Sequence, residues 1–374
     1  MVVQHQLVRL LRAPGPGRVG RQRAVLRGPT LEDRIDDPPL LRHLIQEQCA
    51  RDEAYAPARV LNLVVVVDRD WRGEIYNRLE NVGRYHPSRT ILCAVDPARD
   101  SIDATVAITT ADDGDPKPGE LALTRERVVL DLGPRHLEKL DTIVDPLVVT
   151  DIATVVWSPH GHPEAVDALL QLSQVVLVDS VNEPDPGAAV ARAKELAGEA
   201  YVVDLAWLRS TPWRERVAST FDPPQWREEL GRISAVTVRH QPQSTVAGLL
   251  FCGWLAARLG WEPGALVAAN GALRGHAHAR RQDVQVELEP DPSMSVPGLA
   301  GVDICTASGM RISLYRGPGG LTARRSDRKG RESSWTVLGA SRGEAGILGE
   351  GIRQALLRDP AYRRALDQAE AMTR

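Results

Sequence analysis

Two imidazoles stand one residue apart in WSPHGHPEAV (157–166): His160 and His162, between an apolar run and a proline. Histidine titrates near neutral pH and ligates metals, so the pair could move a proton or hold a cation. No nearby Cys or carboxylate supplies a third ligand, because Glu164 falls inside the next helix. Pro163 suits the first helical position, and Ser158, Pro159 and Gly161 are turn residues. A strand-to-helix loop accounts for the pair better than a metal centre does, with a ligand or partner contact as the functional alternative.

A second pair, His276 and His278 in RGHAHARRQD, falls on one side of a strand, since side chains alternate. With Asp283 it loosely imitates a cupin metal motif, but no histidine follows His278 to complete one. Arg274, Arg280 and Arg281 around it make an anion-binding patch the better functional reading, against a plain solvated strand. The loop GRYHPSR (83–89) offers His86, Ser88 and Arg89 for an anion or a partner. The alternative is a helix-to-strand connection in which Ser88 and Arg89 satisfy backbone and carboxylate groups.

The stretch AWLRSTPWRERVASTFDPPQWR (206–227) concentrates tryptophan and arginine in a chain otherwise poor in aromatics. Those side chains are enriched at interface hot spots. Trp207, Arg209, Trp213 and Arg214 are therefore candidate partner contacts, and packing between domains is the competing reading. No phosphate-binding P-loop, nucleophile elbow or H-E-x-x-H motif occurs. GPGRVG (15–20) matches G-x-G-x-x-G in letters but follows no strand, so it carries no dinucleotide reading.

The elements that must position these residues alternate in type. Val60–Val67 (VLNLVVVV) is a continuous apolar run of strand length, as expected of a strand covered on both faces. Trp71, Ile75, Leu79 and Val82 then recur at helical spacing, with Asp70 as the expected N-cap and Gly83 at the end. Strands follow at 89–95, 101–109, 128–132, 152–157 and 175–179, with helices at 134–140, 163–172 and 186–196. This order implies βαβ units and a mostly parallel sheet. The segment 206–227 reads as one helix bridging two domains and ended by Pro223-Pro224. Beyond it the period changes. A hydrophobic helix at 244–259 precedes short strands at 283–288, 302–306, 311–315, 321–325 and 333–338, separated by turn residues, and two helices close the chain.

The fold class expected is an α/β N-terminal domain with a mostly parallel sheet, then an α+β domain with an antiparallel sheet and terminal helices. The division expected is a disordered or atypical arm at 1–39, the α/β domain at 40–210, a bridging segment at 211–228 and the α+β domain at 229–374.

Bulk properties narrow the class. With 43% hydrophobic and 25% charged residues the chain can bury a core. A net charge of -3 argues against nucleic acid or anionic membrane as partner. The longest apolar stretch, 247–257, is too short to span a bilayer. Cys49, Cys93, Cys252 and Cys305 form no CxxC pair. The start lacks a signal-peptide pattern, and a cytoplasmic location is expected.

Several stretches in order carry a resemblance: ARVLNLVVVV, YHPSRTILCAV, DPLVVTDIATVVWSPHGHP, DLAWLRSTPWRERVASTFD, GLLFCGWLAARLGW and WTVLGASRGEAGILGEGIRQALLRDPAY. Together they resemble the glucose-6-phosphate dehydrogenase assembly proteins (OpcA type) of actinobacteria and cyanobacteria, from Arg59 to the end. Residues 1 to about 50 depart from that family's usual start. The resemblance implies a non-catalytic activator that needs no cofactor. It would bind glucose-6-phosphate dehydrogenase and favour its active oligomeric form, at the entry to the oxidative pentose phosphate pathway. The family's loop after the VVW strand lacks the two histidines, which further weakens a metal reading of His160 and His162. The alternative function is a sugar-phosphate- or nucleotide-binding enzyme or sensor that uses the carboxyl edge of the α/β sheet.

Overall fold

The computed structural model describes residues 22–25, 55–57, 59–83, 87–110, 122–280, 282–317, 319–338 and 343–374. The GPGRVG stretch, most of the Arg-rich arm, residues 40–49, His86 and Arg281 lie outside them. Contacts divide the chain into two compact units, Met1–Leu177 and Val178–Arg374.

The first unit is a mixed, mostly parallel sheet. Its strands are β1 (Gln22–Val25), β2 (Tyr55–Pro57), β3 (Leu61–Asp68), β4 (Ser88–Val95), β5 (Asp103–Thr110), β6 (Ala122–Leu132), β7 (Thr154–Trp157) and β8 (Val175–Val178). The order β1-β5-β6-β4-β3-β7-β8 places the apolar β3 and β4 centrally, where both faces are covered. β3, β4, β6, β7 and β8 run parallel, and β5 and β1 extend the edge antiparallel. From β3 the chain builds outward to β4 and β6, then returns to add β7 on β3's other side. The topological switch point therefore lies between β3 and β7. Asn62, buried in β3, exchanges hydrogen bonds with the backbone of Val149 (2.9 Å each way) and reaches Thr154 Oγ1 at 3.1 Å, which braces the entry to β7.

Helices α1 (Arg72–Gly83), α2 (Leu140–Val144) and α3 (Pro163–Leu169) make the connections of this unit. Ile75 and Leu79 of α1 are buried, as their spacing predicts. Trp71 and Asp70 depart from expectation. A 3-10 turn at Arg69–Trp71 precedes α1, so Asp70 sits inside that turn rather than capping, and Trp71 is rotated off the buried stripe to 48% exposure.

The second unit carries the helices α4 (Pro186–Glu199), α5 (Leu205–Arg209), α6 (Thr211–Phe221), α7 (Pro224–Leu230), α8 (Thr245–Leu259), α9 (Gly343–Leu357) and α10 (Pro360–Thr373). The segment read as one bridging helix is three, α5 to α7. Pro212 and Pro224 lack an N–H and so open new helices in their first turns. The side chains of Asp185, Asp204 and Asp359 cap α4, α5 and α10 by accepting from backbone N–H groups.

Its mostly antiparallel sheet holds β10 (Ile233–His240), β11 (Glu262–Pro263), β12 (Val267–Ala269), β13 (Ala272–Ala279), β14 (Gln282–Pro290), β15 (Leu299–Thr306), β16 (Arg311–Gly317), β17 (Gly320–Ser326) and β18 (Glu332–Leu338), with β9 (Tyr201–Asp204) preceding α5. The order is β11-β13-β14-β10-β15-β16-β17-β18. β10 pairs parallel with β14, the exception to a simple meander. Val236, Val238, Val284, Val286, Val302 and Ile304 form a buried inner face, on which α8 packs. α8 crosses α10 closely: a Cβ on Gly253 would lie 2.3 Å from the Ala365 carbonyl oxygen. Among the described residues no helix is long and apolar enough to cross a membrane.

Candidate functional site

At the switch point the carboxyl ends of β3 and β7 present facing loops. From the β7 side, Gly161 (φ 103°) and His162 (φ 58°) adopt positive φ in succession. A left-handed histidine is strained and persists only where its surroundings hold it. His162 Nε2 lies 2.9 Å from Asp68 Oδ1 at the end of β3, and its Nδ1 lies 3.7 Å from Glu164 Oε1. Ser158 Oγ donates to the Val66 carbonyl at 3.3 Å and also contacts the Gly161 carbonyl. The two loops are thus tied across the point where parallel sheets usually receive ligands.

His160 stacks on Trp71, with centroids 5.1 Å apart. Its Nδ1 is buried without a hydrogen-bond partner. Burial pushes its pKa down, opposed by the Asp68 and Glu74 carboxylates. Among the described residues no group of His, Cys, Asp and Glu side chains is placed to hold a metal.

The arginines at this edge are each held by a carboxylate. Arg69 pairs with Asp96, and Arg72 Nη1 lies 2.6 Å from Asp131 Oδ1. The Ala98 N–H and the Arg69 guanidinium hold the Asp96 carboxyl below its usual range. A phosphate-binding turn uses glycines and a helix N-terminus free of acids. Here the turn reads Asp68-Arg69-Asp70-Trp71, with Glu74 in the first turn of α1. Its carboxylates repel phosphate, and Arg69 and Arg72 are already held. What the edge does expose is an aromatic platform, suited to a protein contact.

The other sequence candidates lie elsewhere. β4 starts at Ser88, one residue before the strand expected from Arg89, and both residues are buried. Arg89 donates to Glu126 Oε2 at 2.8 Å and to the Leu147 carbonyl at 3.0 Å, and Arg59 shares the same carboxylate. Ser88 Oγ meets Thr90 Oγ1 at 3.2 Å. They satisfy a carboxylate and backbone groups within their own unit. His86 lies outside the described residues.

Trp207 and Trp213 are each 2% exposed in the second unit. The buried Arg214 guanidinium lies 3.3 Å from the Trp207 ring centroid and donates to Trp207 O (2.7 Å) and Thr211 Oγ1 (2.9 Å). Burial lowers its pKa to about 9. Arg209 forms a bidentate pair with Asp179, both contacts at 2.7 Å. Trp207 Nε1 donates to Asp359 Oδ2 at 3.0 Å. At the centre of this network Asp204 is fully buried against Ser180, the Ala206 N–H and Tyr362, and desolvation raises its pKa to about 6. Sequence reasoning missed Asp204 and Asp359 as network members. An acid between strand and helix, and one before a proline, were the available signals.

On β13 the side chains of His276 and His278 are exposed on one face, as alternation predicts, and His278 Nδ1 meets Asp283 at 2.9 Å. Arg274 is paired with Glu287 at 2.5 Å, and Arg280 is exposed at the hairpin turn. Arg281 lies outside the described residues.

Comparison with known proteins decides the family. Residues 80–195 match the model described as glucose-6-phosphate dehydrogenase subunit N-terminal domain. Residues 200–366 match the subunit's C-terminal domain. The chain belongs to the OpcA family of glucose-6-phosphate dehydrogenase subunits. A similar curated relative is the OxPP cycle protein OpcA of Synechococcus elongatus, 27% identical over 248 residues, covering 64% of this chain and 52% of that protein. The OpcA of Nostoc punctiforme is 30% identical over 174 residues, covering 44% and 37%. The chain thus spans about half the length, or less, of the OpcA relatives it matches. Among solved structures, the oxidoreductase yvaA of Bacillus subtilis overlaps at TM-score 0.47 and 12% identity, covering 84% of this chain and 95% of that one. The WlbA dehydrogenase of Thermus thermophilus overlaps at TM-score 0.40 and 14% identity, covering 83% and 94%. Likeness at these TM-scores does not establish a shared fold.

Proposed function

We propose that this OpcA-family chain is a non-catalytic, cytoplasmic partner of glucose-6-phosphate dehydrogenase that favours the dehydrogenase's active oligomeric form. A binding protein shifts such an equilibrium only by its difference in affinity for the two forms. The observation that carries this reading is the exposed Trp71, stacked on His160 above a carboxyl edge whose arginines are held by Asp96 and Asp131. An edge with its arginines paired and a large aromatic exposed fits a protein surface better than a phosphate.

In this reading Trp71 and His160 touch the dehydrogenase. The buried candidates, Ser88, Arg89, Trp207, Arg209, Trp213 and Arg214, act indirectly, by holding each unit in shape. The test uses the dehydrogenase from the same organism, assayed with and without this chain, with mass followed by light scattering. A rise in activity with a co-eluting complex supports the proposal. No complex and no change in activity would sink it.

A further inference from the structure

The second unit's sheet has two faces of opposite character, and among the described residues helices pack on the inner one. Arg325 and Arg316 point inward, Arg325 onto Trp226 at 4.4 Å and Arg316 toward Trp213 at 6.0 Å. The outer face is set by strand register. One row runs Arg274, Glu287, Thr237, Asp303, Ser313 and Arg324 across consecutive strands. Small and uncharged residues fill the middle: Ala235, Thr237, Gly301, Cys305 and Ser313. Arg239 lies flat over Gly301 and pairs with Asp303 at 2.7 Å, so the centre is level and neutral.

The ends are not neutral. On the β13–β14 side the outer face carries Asp283, Glu287 and Glu289 against Arg274, with Arg280 at the hairpin turn and Asp283 beside His278. On the β16–β17 side it carries Arg311 and Arg324, both exposed and without an ion-pair partner among the described residues, with Glu332 the one acid across the next strand in the Arg311 row. β14 and β16 lie on opposite sides of the central β10–β15 pair. A two-fold axis running along the strands would therefore set the acidic end of one copy on the basic end of another. Such a surface is self-complementary, as a closed symmetric dimer requires. The strands from β13 to β18, at about 4.8 Å spacing and ~3.3 Å per residue, offer roughly 750 Å². That approaches the ~800 Å² per partner of a standard stable interface, which needs no more apolar area than ordinary surface.

We infer that the outer face of this sheet packs against the same face of a second copy of this chain, acidic end to basic end. The inference stands apart from the proposed function. A homodimer that leaves the dehydrogenase untouched would defeat that proposal and not this one.

The test is sedimentation of the full chain at micromolar concentration, alone and with charge-swapped variants. Wild type is expected to be a dimer. Arg311→Glu with Arg324→Glu sets acid against acid and should weaken the dimer by about 100-fold or more. Asp283→Lys with Glu289→Lys should do the same. Mixing the two variants should restore a heterodimer; Arg311, Arg324 and Asp283 are exposed and Glu289 half-buried, so thermal unfolding should change little. A wild type that stays monomeric overturns the inference, as does a dimer indifferent to the swaps, or swapped variants that fail to pair. A monomeric chain whose binding to the dehydrogenase is lost in Arg311→Glu/Arg324→Glu would give this face to the dehydrogenase, and also overturns it.

Discussion

The switch-point edge of the first unit and the aromatic cluster of the second are built from similar letters. Both combine tryptophan with arginine and aspartate. At the edge, Trp71 is 48% exposed and leans on a histidine beside a strained loop. In the cluster, Trp207 and Trp213 are enclosed, the Trp207 indole N–H and the neighbouring arginines consumed by Asp179, Asp359 and backbone carbonyls. Hot-spot composition therefore does not separate a contact surface from a core. What separates them is burial of the ring itself, since the arginines of both regions already have partners inside their own unit.

The strongest break of this comparison is truncation of the enclosed rings. Trp207→Ala and Trp213→Ala should each cost about 3–5 kcal/mol in denaturant unfolding, from lost burial and the cavity left behind. Loss of dehydrogenase binding in those variants should follow loss of fold. Glu126→Ala should cost a similar ~3–5 kcal/mol, because it leaves Arg89 buried without its carboxylate. Restoring an acceptor with Glu126→Gln should recover only part of that, since the charge is not replaced.

Asp204 sharpens the comparison through pH. Its folded pKa is raised to about 6, from 3.8, by burial. The folded state therefore holds its proton more tightly than the unfolded state does. This group's contribution to stability is full below the unfolded pKa and declines as pH rises from about 4 through 6. The full decline is on the order of 3 kcal/mol. Asp204→Asn keeps the α5 cap and cannot ionise. Its unfolding temperature should gain on wild type between pH 5 and pH 8, whereas a constant gap would place the aspartate outside the folded core's proton balance.

Much of the first unit was legible because its signals are strong. A continuous β-branched run such as LNLVVVV can be stable only where both faces are covered, and it became the central strand. The second unit was legible in its strands but not in its centre. β10, ISAVTVRH, alternates buried and half-exposed residues, and its apolar content is too thin to stand out. Its insertion between β14 and β15, parallel to one and antiparallel to the other, is set by tertiary pairing and not by local pattern. Asp70 failed as a cap because a 3-10 turn comes first, a choice that one residue's propensity does not decide. The site was legible in part. His160 and His162 were singled out, but Asp68 and Trp71, distant in sequence, become their neighbours only through the parallel pairing of β3 with β7.

The smallest expected effect on stability is the most informative on function. Trp71→Ala should cost about 1 kcal/mol of unfolding free energy, the loss of a half-exposed ring and its contact with His160. The decisive measurement is dehydrogenase binding and activation by Trp71→Ala beside its unfolding curve. The expected result is a folded protein of ordinary stability that no longer binds or activates the dehydrogenase. A Trp71→Ala chain that binds and activates like wild type would contradict it.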